Sequence, residues 1–370
     1  MIGGRVVPRA CLASARLQVR RLWVVMVAAL LAACSARHEG VLIPVADAEG
    51  GASRVQVLVA TTRQRANKPG DMFNGDRSDE VSYASLVVSI PPDHVIGEVQ
   101  WPASPPGDPH RDFVTISADY LDKPGFSTAL ATAARTTRRS KAMVFVHGFN
   151  NHFDDAAYRF AQIVQDSKAP VIPVLFSWPS QGSVSLSAYQ YDRESASQSR
   201  QSLEDVLDAI ALNPAIKEVT LMCHSMGCQL TMAALRSKSL HAGKIGAKLK
   251  NVLLVAPDVD FNVFHEDMQQ MGGNRPRMAL FLSQDDHALQ ISKLLWGGAT
   301  RLGDINPEEE PYKSDLAHEK ILVFDVTHLE GNPHTRAFDD VDSVMGMIER
   351  RLATGQQLEK DPKQVSVVAQ

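Results

Sequence analysis

Metal-ligand spacing is missing from this chain. It has no His-Glu-x-x-His and no paired Cys-x-x-Cys, and its 12 histidines are scattered. A zinc site of the usual kind is therefore not written into it. There is no glycine-rich phosphate loop either, so no metal and no cofactor are expected. Cysteine is scarce, with four in 370 residues, too few for a disulfide framework to stand in for a core. Basic stripes are absent and the formal net charge is −4, which argues against a nucleic-acid partner. No internal repeat is present. The longest apolar run, Leu22 to Ala33, falls short of the roughly 20 residues that a spanning helix needs. What remains is ordinary globular composition, 44% hydrophobic and 22% charged, which suits one large domain with a sizeable core.

The charge is unevenly placed. The first 33 residues hold five arginines and no acid. Without them 33 basic residues face 42 acidic ones, about −9. Arg16, Arg20 and Arg21 precede the apolar run, which has the length and flank of an export signal. The run ends in Leu31-Ala32-Ala33-Cys34, which resembles a bacterial lipobox. That resemblance implies that Cys34 becomes the first mature residue and carries lipid. Ser35 behind it, rather than aspartate, implies sorting to the outer membrane. The expectation is a lipid-anchored protein of the bacterial cell envelope, facing the periplasm. An ordinary cleaved signal or an uncleaved anchor is the alternative. Residues 34–53 read as a tether, 54–354 as the domain and 355–370 as a loose polar tail.

Within the domain, Val55 to Ala60 reads as a first strand and Arg63 to Asp79 as a polar, glycine-rich insertion. Ser85 to Ile90 is a strand, and Val95 to Trp101 and Phe113 to Ser117 are short strand candidates. From Ala142 the pattern is regular. Strands are expected at 142–146, 171–176, 219–222, 251–256, 278–283 and 321–326. Helices are expected at 153–167, 194–211 and 337–352, with further helical patterns after the strands that end at 222, 256 and 283. Alternation of this kind argues for an α/β architecture, a mainly parallel sheet covered on both faces.

Met222-Cys223-His224-Ser225-Met226-Gly227 is the most informative stretch. It lies between a strand and a helix, the setting of a nucleophile elbow. A tight turn lifts the serine hydroxyl clear of the backbone, and the helix start supplies N–H groups for an oxyanion. Cys223 stands where the usual Gly-x-Ser-x-Gly has its first glycine. Cys223 and Cys228 bracket Ser225. Five residues across a strand–turn–helix elbow make a bridge awkward, so both read as buried thiols. His224 reads as packing.

A serine needs a base, and the base needs an orienting acid. Asp286, just past the strand 278–283, is the leading acid. Asp285 is its immediate rival, and Asp258 and Asp260 form a second alternative. His334, in the loop after the last strand, is the leading base, with His328 as its rival. Backbone N–H groups of Met226 and of Phe149, in His147-Gly148-Phe149-Asn150, are candidates for the oxyanion hole.

Several pieces together resemble the uncharacterised, esterase-like α/β-hydrolase family found as bacterial lipoproteins. They are Val59-Ala60-Thr61-Thr62-Arg63, Val88-Ser89-Ile90-Pro91-Pro92, Val144 to Asn151, Leu175 to Ser180, His224-Ser225-Met226-Gly227, Ala256-Pro257-Asp258-Val259-Asp260 and Ser283 to Leu289. The resemblance runs from about Val55 to the last helix and implies an α/β-hydrolase fold. It places an Asp-x-Ala-Leu after the seventh strand, which favours Asp286. It places a Gly-His-Ser-like turn near the end, which favours His334. It leaves Tyr189, Tyr191 and Asp192 in a segment without a role.

The expected function is serine hydrolysis of a carboxylic ester through an acyl-enzyme. Ser225 is the nucleophile, His334 the base, Asp286 the orienting acid, and Phe149 and Met226 the oxyanion donors. The expected partners are a small-molecule or lipid-like ester and, through Cys34, the membrane. A peptidase or amidase on the same triad is the alternative, as is an envelope binding lipoprotein on an inactive scaffold.

Overall fold

The computed structural model describes residues 40–46, 51–68, 70–242, 245–295 and 298–345. The expected signal 1–33, the lipid site Cys34 and the tail 355–370 lie outside them. Among the described residues nine strands are formed: β1 (Ser53–Arg65), β2 (Phe73–Ile90), β3 (Val114–Leu121), β4 (Lys141–Val146), β5 (Ile172–Ser177), β6 (Glu218–His224), β7 (Leu249–Val255), β8 (Arg277–Leu282) and β9 (Leu322–Asp325). They make one sheet in the order β3-β2-β1-β5-β4-β6-β7-β8-β9. The β1/β2 and β2/β3 pairs are antiparallel. Every other pair is parallel.

The helices are α1 (Lys123–Thr137), α2 (Phe153–Ser167), α3 (Leu186–Gln198), α4 (Arg200–Leu212), α5 (Gly227–Ala242), α6 (Phe261–Met271), α7 (His287–Leu295) and the short α8 (Tyr312–His318) and α9 (Arg336–Asp339). They cover both faces of the sheet, and for that reason the central strands are apolar throughout rather than alternating. Neighbours along a strand serve opposite cores. Val144, Leu221 and Leu280 pack in one cluster with α1, α4, α5 and α6. Phe145, Met222 and Phe281 pack in the other with α2 and Phe338. Phe145 and Phe160 stack at 5.1 Å between centroids. Truncating Phe160 to alanine would cost about 3–5 kcal/mol.

The parallel strands follow the sequence pattern, while the last helix, expected over 337–352, is broken at Asp340 into α9 and a helical stretch over 341–345, and 346–352 lie outside the described residues; the N-terminal part departs from the pattern. The expected polar insertion 63–79 is a long hairpin, with β1 and β2 extending 13 and 18 residues. The polar residue that disguised it, Arg63, is fully buried, and Phe73 anchors the second strand. Residues 95–101 form turns and irregular chain, not a strand. Helix α1 has no counterpart in the sequence reading, because Pro124 and Gly125 in its first turn disguise its start; Asp122 caps it by accepting from Gly125 N at 2.7 Å. The single helix expected over 194–211 is two, α3 and α4, meeting at Ser199. The Ser199 hydroxyl donates back to the Ser195 carbonyl and pairs with Thr62 Oγ1 at 2.8 Å. Residues 40–46, read as tether, are seated on the domain. Val41 and Leu42 are buried, Tyr158 Oη donates to the Val41 carbonyl at 2.8 Å, and Val45 N donates to the Thr115 carbonyl at 2.9 Å.

Candidate active site

Strand β6 ends at His224 and α5 begins at Gly227, so Ser225 and Met226 alone make the turn. Ser225 has φ +51°, a conformation that costs a non-glycine residue on the order of 1 kcal/mol or more. The turn is held from both sides. Ser225 N donates to the Val255 carbonyl at 3.0 Å, and the Ser225 carbonyl accepts from Cys228 N at 3.0 Å and Asp258 N at 3.2 Å. A Cβ at Gly227 would land on the His147 carbonyl oxygen. Glycine there lets the helix start approach the end of β4.

The two cysteines correct the sequence reading. Cys223 and Cys228 form a disulfide, with Cα atoms 5.0 Å apart. The turn folds the first residues of α5 back beside the end of β6. That brings five residues of chain within bridging range. Both cysteines are fully buried, and the bridge encloses Ser225. A bridged Cys223 has no free thiol to compete with Ser225 as a nucleophile.

Asp286 caps α7: its Oδ1 accepts from Leu289 N at 3.1 Å. Its Oδ2 lies 2.7 Å from His334 Nδ1. The carboxylate is fully buried, while the His334 side chain is 21% exposed. A carboxylate can only accept, so Nδ1 carries the proton and Nε2 keeps its lone pair. The His334 loop is also tied to the turn at Ser225. His224 Nε2 donates to the His334 carbonyl at 3.0 Å, and the two rings lie 4.7 Å apart. Burial, then the neighbouring His334 charge, lowers the His224 pKa to about 3, so His224 is a neutral strut.

The rivals sit elsewhere. Asp285 is bound twice by Arg336, at 2.8 and 3.1 Å, and accepts from Ser283 Oγ at 2.6 Å. Those hydrogen bonds lower its pKa to about 2. It ties the loop after β8 to α9. Asp258 accepts from Tyr189 Oη and Ser292 Oγ, both at 2.7 Å. Asp260 caps α6. His328 is exposed in the turn after β9.

The loop 147–151 lies against the elbow. A Cβ at Gly148 would stand 3.0 Å from Ser225 Cβ and 2.9 Å from His224 Nδ1. Among the described residues no acceptor takes the N–H of Phe149 or of Met226. Residues outside the expected site hold this loop. Arg63 Nη2 donates to the Asn151 carbonyl at 2.8 Å, Nη1 to the Ser180 carbonyl at 2.9 Å, and Nε to Ser177 Oγ at 2.8 Å. Burial lowers the Arg63 pKa to about 10, which leaves it charged at neutral pH. Trp178 stacks on His147 at 4.9 Å and its Nε1 donates to the His147 carbonyl at 2.8 Å. Burial and the Arg63 charge push the His147 pKa well below its usual value. Asp192 takes Ser180 Oγ at 2.5 Å and Gln181 N at 2.8 Å. The signal for Arg63 and Asp192 lay only in the resembling segments that contain them; composition hid both as surface charge.

Among the described residues no cluster of His, Cys, Asp and Glu is placed to hold a metal, and no helix is long and apolar enough to cross a membrane.

The family model described as alpha/beta hydrolase of unknown function (DUF900) matches residues 123–350. No curated protein matches the chain. Among solved structures it is similar to a lipase-esterase related protein from Clostridium acetobutylicum, at 11% identity over 58% of this chain and 95% of that one, with a TM-score of 0.34. A CIB-like hydrolase from Thermoplasma acidophilum shares 13% identity over 59% and 88%, TM-score 0.34. Naproxen esterase from Bacillus subtilis shares 10% over 73% and 88%, TM-score 0.29.

Proposed function

Since the chain belongs to the alpha/beta hydrolases of unknown function and has their fold, we propose that it is a serine hydrolase acting on carboxylic esters. The observation that carries this reading is the buried Asp286 carboxylate 2.7 Å from Nδ1 of His334, whose loop is tied by its own carbonyl to His224, the residue before Ser225. His334 Nε2 takes the Ser225 hydroxyl proton as Oγ bonds to the ester carbonyl carbon. The carbonyl electron pair moves to oxygen, where the N–H groups of Phe149 and Met226 hold the developing charge. The intermediate collapses, the C–O bond to the alcohol breaks, and His334 returns the proton to the leaving oxygen. Water then attacks the acyl-enzyme with His334 again as base, releasing the acid and restoring Ser225. Asp286 fixes the tautomer throughout.

Labelling with a fluorophosphonate and turnover of chromogenic esters test the reading. Wild type labels and turns over; Ser225→Ala does neither while melting normally. Undiminished labelling of the alanine variant removes Ser225 as nucleophile. On the lipobox-like Leu31-Ala32-Ala33-Cys34, we also place the enzyme at the cell envelope, held by lipid on Cys34. Cys34→Ser then leaves the membrane fraction; retention there at high salt refutes the anchor.

A further inference from the structure

Two short stretches near Ser225 turn large apolar side chains to water. Val184 and Leu186, each 57% exposed, lie just before and at the start of α3, and Ile291 and Leu294, 59% and 80% exposed, lie on α7. Both helices follow the carboxyl ends of parallel strands, on the edge of the sheet where Ser225 makes its turn. Helix α7 is confined to that edge. The chain leaves β8 at Leu282 and comes back at Gly303, whose carbonyl accepts from Ser283 N at 3.1 Å. The inner faces of the two helices meet there. Tyr189 Oη lies 3.1 Å from Ser292 Oγ, and both hydroxyls donate to the buried Asp258 carboxylate. Asp258 N donates in turn to the Ser225 carbonyl at 3.2 Å. With its inner face so occupied, a helix bordering water normally turns polar side chains outward. Helix α7 instead sets Ile291 and Leu294, one turn apart, on its outer side. A single exposed apolar residue needs no explanation; two touching helices that both present them do.

Charge and the course of the chain point to the occupant. Residues 180–191 carry no charged side chain, and 287–295 carry Lys293 and no carboxylate, in a domain that is otherwise acidic. An anionic lipid surface suits that pattern and would repel the carboxylates that are missing from it. The N-terminal segment reaches the same edge. Leu42 N donates to the Gly70 carbonyl at 3.1 Å, in the turn that follows the carboxyl end of β1, and β1 runs parallel to β5. Gly40 therefore stands on the edge that carries α3 and α7. Cys34 is six residues ahead of Gly40, at most roughly 20 Å of extended chain. A lipid on Cys34 holds this edge, and not the opposite one, close to the membrane.

We infer that the edge formed by α3 and α7 is a docking face for the lipid bilayer, with Val184, Leu186, Ile291 and Leu294 dipping into its headgroup region. The inference rests on the lipid-anchor reading and adds to it a second contact made by the folded domain. The test binds the full chain to phosphatidylcholine–phosphatidylglycerol vesicles with nitroxide-labelled acyl chains. An environment-sensitive fluorophore is placed on Leu294→Cys or, as control, on Leu212→Cys. Leu212 is as open to water but ends α4, on the opposite edge. Cys223 and Cys228 are bridged and buried, and a tag on any other cysteine is common to both samples. Quenching at position 294 is expected to be at least about threefold that at 212, and Ile291→Asp should bring it toward the control. Leu186→Cys repeats the reading from α3 should the first variant fold poorly. Quenching at 294 no greater than at 212 overturns the docking face. So does a fluorophore at 294 that responds to protein concentration and not to vesicles, the mark of two copies pairing through this edge. Sedimentation with vesicles that Cys34→Ser abolishes, without quenching at 294, removes the face and leaves the anchor. Quenching at 294 that persists in Cys34→Ser keeps the face and removes the anchor.

Discussion

Replacing Asp286 by asparagine changes one atom in a buried site with no room to adapt. The carboxylate now accepts twice, from His334 Nδ1 at 2.7 Å and from Leu289 N at 3.1 Å. An amide has one acceptor and one donor end. If its oxygen faces His334, its NH2 is pressed against the Leu289 N–H, and the helix cap is lost. If its NH2 faces His334, Nδ1 must give up its proton, which moves to Nε2, and the base toward Ser225 is gone. The first arrangement costs about 1 kcal/mol of helix stability and also removes the charge that stabilises the imidazolium. The second removes the base outright. Either way the rate falls by about 10³ to 10⁴, equivalent to roughly 4 to 5.5 kcal/mol at 1.36 kcal/mol per tenfold. The assay is kcat/KM on a chromogenic ester at pH 7 to 8, with melting curves to show that the variant is folded. A Asp286→Asn enzyme within tenfold of wild type would refute the reasoning. A thousandfold loss in Asp258→Asn instead would move the acid to the loop after β7.

Asp285→Asn is expected to keep its rate within about tenfold and to lose stability. The pKa of Asp285 is lowered from the usual carboxylate value to about 2, so its contribution is complete above pH ~4 and lost as pH falls through 2. With the side chain 44% exposed, that contribution is about 1 kcal/mol or less, visible as a urea midpoint shift at pH 7 that vanishes below pH 2. Paired Cys223→Ser and Cys228→Ser substitutions should cost about 2 kcal/mol for so short a loop and slow fluorophosphonate labelling; unchanged labelling and melting would show the bridge to be idle. Acidification should weaken the fold. The folded pKa of His224, about 3, lies below the usual ~6.5, so the unfolded chain takes up the proton first. Stability is then complete above pH ~6.5 and falls toward pH 3, with His147 acting in the same direction. His224→Gln, which keeps a donor for the His334 carbonyl, should flatten that slope in urea titrations from pH 8 to 4, and an unchanged slope would clear His224 of the effect.

The sequence exposed what chain order and local pattern constrain. Ser225 sits between an apolar strand and a helix, and acid and base each follow a strand end, so the pattern alone narrowed the partners to a few residues. Asp286 was separable from Asp285 only by resemblance; in the structure Arg336 occupies Asp285 and leaves Asp286 to His334. The disulfide was misread because separation along the chain was weighed without the fold-back of the elbow. Arg63 was invisible for a different reason. Its burial depends on acceptors from β5, the following loop and the loop after β4, partners 88 to 117 residues away. No local window contains that information, and the hairpin built around Arg63 was lost with it.

The place of β1 has a consequence for how the molecule can be divided. Every candidate catalytic residue comes after Lys141, yet β1 lies inside the sheet, between β2 and β5. Cutting the chain ahead of Lys123 would open the edge of β5 and withdraw the Arg63 cation from beneath the loop 147–151. The part that carries the candidate catalytic residues is thus not a transferable module. Its inheritance, fusion or truncation has to include the hairpin, because the far end of β1 serves as a rivet in the loop 147–151.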